Sequence, residues 1–130
     1  MYGQLGHKNE KIALVLRPKL VQFKDTSTTE KRQVNIRQIG CGYNHCIALS
    51  DQDQVFVWGR RMGIYPNVEL TYHSLKEQTV LFHDIHQNEP RLIKSNLIFY
   101  KFKKIQAGPF NSALITDQGE IILQGNNDFG

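Results

Sequence analysis

Apolar residues fall in short bursts along this chain, each closed by a polar or glycine-bearing turn. His45-Cys46-Ile47-Ala48-Leu49-Ser50 and Val55-Phe56-Val57-Trp58 are separated by Asp51-Gln52-Asp53-Gln54. Bursts this brief, rich in β-branched and aromatic residues, predict strands 45–50 and 55–58 joined by a tight turn. The same order predicts strands 111–116 and 121–124 around a turn at 117–120, where Gly119 supplies the positive φ of a hairpin turn. Inner strands are expected at Ile36–Gly40 and Phe102–Ala107. Outer ones are expected at Lys19–Phe23, after Pro18, and at Arg91–Lys94, after Pro90. No helical period competes, although Leu70–Phe82 has room for a short helix.

The two hairpins stand at a constant offset of 66, which carries Ile39 onto Ile105, Asp51 onto Asp117 and Gly59 onto Gly125. A fixed period of this size marks an array of supersecondary units that bury their apolar faces by stacking. About four strands per unit is the count of a propeller blade. The expected organisation is a first repeat over 1–59, a second over 60–125 with a loop insertion near 64–89, and the start of a third at 126–130. The chain begins and stops inside a repeat, so a segment of a longer array is expected. The uncovered faces of such a segment are expected to make the isolated chain self-associate.

Gly3-Gln4-Leu5-Gly6-His7, then Pro18-x-Leu20-Val21, then Ile39-x-Cys41-Gly42-x-x-His45-x-x-Ala48-Leu49 and Val55-x-x-Trp58-Gly59 resemble the repeat of the regulator of chromosome condensation family. The second copy matches at Pro90-x-Leu92-Ile93, Ala107-Gly108, Asp117-Gln118-Gly119 and Gly125-x-Asn127-x-x-Gly130. It departs at Asn111, where His is usual, at Leu114-Ile115, in place of Ala-Leu, and at Gln124, where Trp is usual. The resemblance implies an all-β fold of antiparallel four-stranded blades, about two blades of a seven-bladed β-propeller.

Motif residues that recur in every blade specify the blade more plausibly than a unique site. Gly3, Gln4, Leu5, Gly6, His7, Gly42, His45, Ala48, Leu49, Trp58, Gly59, Gly108, Gly119, Gly125 and Gly130 are therefore read as structural, with Trp58 packed between blades. Cys41 and Cys46 beside His45 offer one C-x4-C spacing, short of the four convergent ligands of structural zinc. Both are read as small buried residues, and His45 as a ring that satisfies backbone groups. A disulfide between them is geometrically conceivable but disfavoured in a reducing compartment.

Composition adds little: 40% hydrophobic and 22% charged residues make an ordinary globular balance. No apolar run approaches the roughly 18 residues of a membrane span, and the expected setting is intracellular, cytoplasmic or nuclear. The net charge of +4 comes with basic clusters at Lys31-Arg32, Arg60-Arg61 and Lys101-Phe102-Lys103-Lys104. They read as solvated surface, with weak support for nucleic-acid or chromatin contact. Gly63 to Pro90 runs about 12 residues longer than the equivalent Gly3 to Pro18, and insertions on repeat scaffolds often carry the binding surface. Arg60, Arg61, Tyr65, Tyr72 and Phe82 are the candidate partner-binding residues. His83-x2-His86 with Asp84 is only loosely ligand-like, and His73 lies apart from it.

No nucleophile-base pattern marks a hydrolase, and no catalytic, cofactor-binding or metal-ligating residue is assigned. The expected function is non-catalytic: a scaffold for protein–protein interaction. The resemblance implies one alternative, guanine-nucleotide exchange on a small Ran-like GTPase by an intact ring.

Overall fold

A computed structural model describes residues 3–7, 14–24, 33–60, 86–93 and 100–125. They hold seven strands: β1 (Ile36–Cys41), β2 (His45–Ser50), β3 (Val55–Arg60), β4 (His86–Leu92), β5 (Phe102–Ala107), β6 (Asn111–Thr116) and β7 (Ile121–Gly125). β1-β2-β3-β4 form one antiparallel sheet and β5-β6-β7 a second. Among the described residues there is no helix, hence none long and apolar enough to cross a membrane. The Leu70–Phe82 segment lies outside them.

Both expected hairpins are present, and they are built alike. Ser50 N donates to Gln54 O and Thr116 N to Glu120 O, each across the turn at 2.9 Å. The buried hydroxyls of the same two residues accept from Gln54 N and Glu120 N at 3.0 Å. A hydroxyl at this position satisfies a turn amide that would otherwise be orphaned. A register shift at Ile36/Gln38 in the first sheet returns at Phe102/Lys104 in the second. The 66-residue period is therefore a period of hydrogen bonding as well as of hydrophobicity.

The sheets stack through one core. Ile47, Leu49, Val55, Val57 and Ile93 on the first meet Phe102, Ile105 and Leu114 on the second, with Ala107 and Ile122 packed at its margin. The other face of the first sheet buries Cys46, Ala48, Phe56 and Trp58 beneath Phe23, Val34, Ile36 and Leu92. Here two expectations are corrected. The fourth strand of the first sheet is β4, beginning at His86 instead of Arg91. Lys19–Phe23 forms no strand; it runs as a cover in which Phe23 stands edge-on to Phe56 and Trp58, 5.4 and 5.6 Å away. With β4 holding the free edge of β3, what the 19–23 segment offers is its aromatic ring.

Candidate interaction face

At the end of the sheets where β1 turns into β2 and β5 into β6, two equivalent turns lie side by side. Gly42 N donates to His45 O at 2.9 Å and Gly108 N to Asn111 O at 2.8 Å. A Cβ on Gly42 would strike the His45 ring, and one on Gly108 would strike Asn111 Oδ1. Each glycine thus makes room for the polar side chain that folds back over it. Asn111 fills in the second sheet the place His45 fills in the first.

His45 also joins the sheets. Its Nε2 lies 3.0 Å from Ser112 Oγ in a buried contact, so the ring meets a side chain of the neighbouring sheet and not only nearby backbone. Its Nδ1 is buried with no hydrogen-bond partner among the described residues. Burial holds the imidazole below its ordinary pKa of 6.5, with a backbone group of Asn111 partly opposing the shift. The ring is therefore kept neutral.

Directly above, Tyr43 N donates to Pro109 O at 3.1 Å. This places Tyr43 against Phe110 in an edge-to-face pair, centroids 5.2 Å apart and planes at 82°. Tyr43 is 68% exposed and Phe110 41%. A second layer at the same end comes from the turn Gly3–Gly6, closed by Gly6 N donating to Gly3 O at 2.9 Å. Its Gln4 carbonyl accepts from Trp58 Nε1 at 2.9 Å and lies 3.5 Å from Cys46 Sγ. Gly6 abuts the indole, whereas Leu5 faces solvent.

The opposite end is a polar latch. Arg37 Nη2 meets Asp53 Oδ1 at 2.7 Å and also donates to the carbonyl of Phe102, while Phe102 N donates to Asp53 Oδ1 at 3.0 Å. Gln38 reaches the edge of β5 with both ends of its amide, accepting from Ile105 N at 2.8 Å and donating to Lys103 O at 2.9 Å. Side chains of β1 thereby satisfy β5 edge groups, leaving the two sheets in fixed register. A shallow groove of about 540 Å³ runs between the strands, lined by Gln38, Ile39, Lys103, Lys104, Ile105 and Ile115.

The motif residues divide by position. Ala48 and Leu49 lie in the buried β2, and Gly59 and Gly125 have positive φ where a Cβ would strike the facing backbone of the β1–β2 and β5–β6 turns. Gly119 has positive φ with open space around it, and His7 is half-buried near the Gly3–Gly6 turn. Gly130, Arg61, Tyr65, Tyr72 and Phe82 lie outside the described residues, as do Lys31, Arg32, His73, His83 and Asp84; Arg60 is described only as the last residue of β3. Among the described residues no three His, Cys, Asp or Glu side chains gather as metal ligands would. Two readings change. Cys46 is buried but Cys41 is exposed. Phe102 enters the core instead of interleaving the exposed Lys101, Lys103 and Lys104, so its ring is not available to stack on a base. Sequence reasoning passed over Tyr43, Phe110 and the latch. The available signal was an aromatic in each of two equivalent turns, where no core position exists for it.

Comparison with known proteins agrees with this architecture. The Regulator of chromosome condensation (RCC1) repeat matches residues 36–60, the β1–β3 meander. The chain is 35% identical over 97 residues, 75% of its length, to the Probable E3 ubiquitin-protein ligase HERC4 of Rattus norvegicus, and spans 8% of that relative. Yeast RCC1 (Prp20), solved bound to Kap60, superposes on 95% of the chain with a TM-score of 0.66 at 27% identity, the chain covering 26% of it. Prp20p of Saccharomyces cerevisiae, described with its binding properties to Gsp1p and histones, gives a TM-score of 0.65 at 27% identity over the same 95%, and 27% of that structure is covered.

Proposed function

We propose that this chain, which belongs to the regulator of chromosome condensation repeat family, is a non-catalytic scaffold whose stacked propeller sheets present a protein-binding face at the β1–β2 and β5–β6 turns. The observation that carries this reading is the exposed Tyr43–Phe110 pair. Aromatic side chains are large, lose few rotamers on contact and dominate interface energetics, so two of them held rigidly on adjacent turns form an anchor for an apolar segment of a partner. The turn hydrogen bond from Tyr43 N to Pro109 O and the His45–Ser112 contact below it hold the anchor in place. Preorganisation of this kind lowers the ordering cost of binding. Arg60, Arg61, Tyr65, Tyr72 and Phe82 are proposed as further partner-binding residues.

The alternative is guanine-nucleotide exchange, supported by the likeness to Prp20p and its described binding to Gsp1p. One pair of measurements separates the readings. The chain and its Tyr43→Ala/Phe110→Ala variant are screened side by side against a displayed peptide library, and release of labelled GDP from Gsp1p is followed with the chain at substoichiometric concentration. The scaffold reading expects selected peptides whose affinity falls at least tenfold in the variant, and GDP release at its intrinsic rate. Peptides indifferent to the variant would move the interface elsewhere; accelerated release would establish exchange.

A further inference from the structure

Cys41 and Cys46 are register partners on β1 and β2, the last pair before the turn. Gly42 N donates to His45 O, which makes 42 and 45 a hydrogen-bonded pair. Alternation along an antiparallel ladder then makes Cys41–Cys46 a non-hydrogen-bonded pair, the kind whose Cα atoms are about 4.5 Å apart and whose side chains stand closest. That spacing lies inside the roughly 4.4–6.8 Å window for disulfides. The two sulfurs are already 3.5 Å apart. An approach of about 1.5 Å brings them to the S–S bond length of about 2.05 Å.

The two thiols are not equivalent. Cys41 is exposed, whereas Cys46 is buried and its thiol is pushed up to about 12, first by burial and then by Cys41 beside it. Cys46 therefore stays protonated and shielded until its neighbour reacts. The second sheet is a built-in control, because the equivalent positions are Ala107 and Ser112, paired in the same register.

We propose that Cys41 and Cys46 form a reversible oxidation site for hydroperoxides. The Cys41 thiolate attacks the peroxide oxygen, the O–O bond breaks, and the departing alkoxide takes a proton to leave as an alcohol, or as water from hydrogen peroxide; Cys41 becomes a sulfenic acid. The Cys46 sulfur then attacks the Cys41 sulfur, the S–O bond breaks, and hydroxide leaves as water with the Cys46 proton. Two thiols and one hydroperoxide give one disulfide, one alcohol and one water, the peroxide taking the two electrons. Proximity drives the second step, since the resolving sulfur sits in contact with the reacting one. Oxidation withdraws the Cys46 S–H from the Gln4 carbonyl, leaving Trp58 Nε1 on that acceptor. The site thus reports on the Gly3–Gly6 turn.

Both cysteines fall in a single tryptic peptide, Gln38–Arg60, so the test is direct. The full chain is exposed to a modest excess of hydrogen peroxide, alkylated, digested and weighed, with Trp58 emission followed in parallel. The expected peptide is lighter by two hydrogens, takes up no alkylating agent, and regains two alkylation sites after dithiothreitol. Trp58, the one tryptophan, is quenched on oxidation and recovers on reduction. Cys46→Ser should stop at a sulfenic acid on Cys41 that dimedone traps. Two alkylatable thiols after peroxide, a disulfide formed only between two copies, or Cys41 carried on to a sulfinic acid with Cys46 still free would each overturn the proposal.

Discussion

β3 and β7 are the same strand met twice, yet they lie in different surroundings. Val55 and Val57 are 3% and 8% exposed, while Ile121 and Leu123, their equivalents 66 residues on, are 64% and 73% exposed. The backbone is shared down to the positive φ of Gly59 and Gly125. What differs is cover: β3 is paired on both edges, packed against the second sheet on one face and roofed by Phe23 on the other. Among the described residues β7 pairs only with β6. Local pattern makes the strand; neighbours decide whether it is core.

The largest effect should come from cutting into the covered copy. Phe56→Ala removes a fully buried ring beneath Phe23 and should cost about 3–5 kcal/mol. Ile122→Ala, the equivalent change in the second sheet, removes a half-buried side chain and should cost at most about 2 kcal/mol. Denaturant titration of both variants checks the contrast; equal losses would mean that the two sheets are equally covered.

Much of this was legible in the chain because it is local. The hairpins, their turns and the glycines where backbones close in follow from residues a few positions apart. The latch was not legible, since Arg37, Gln38 and Asp53 find their partners on the backbone of the other sheet, and backbone carries no signature in a sequence. Of β4 only the Arg91–Leu92 end was expected; its start at His86 and its place at the edge of β3 are set by a pairing across the long insertion. Tyr43 and Phe110 were hidden for another reason: each looks like an ordinary loop aromatic until the stacking sets them side by side.

Exchanging residues between the copies sharpens the comparison further. Asp53 has φ of 59° at the turn position that Gly119 occupies in the second hairpin. Asp53→Gly would relieve about 1 kcal/mol of left-handed strain but would remove a carboxylate that holds Arg37 and Phe102 N, hydrogen bonds to charge worth about 1.5–3 kcal/mol when buried and less when partly exposed. A net loss of about 1 kcal/mol is expected in the same titration. An increase in stability would show that the Asp53 contacts contribute less than the strain relieved.

His45→Asn tests the smallest difference, since Asn111 is the equivalent residue. The folded pKa of His45 is lowered below the ordinary 6.5, so below about pH 6.5 the unfolded chain takes up a proton that the folded one refuses. Stability contributed by the neutral ring is present above that pH and is lost as the pH falls toward the folded value. Thermal unfolding of wild type should weaken on acidification through this window, and the His45→Asn profile should be flatter there. Parallel profiles would remove His45 from the account.

Hydrogen exchange resolved by residue, in dilute solution, tests most directly the claim that neighbours and not pattern decide the core. Amides of β2 and β3 should exchange only through global opening, and those of β7, which among the described residues pairs on one edge and exposes Ile121 and Leu123, at least tenfold faster through local opening. Protection of β7 equal to that of β3 in a dilute monomer would contradict it.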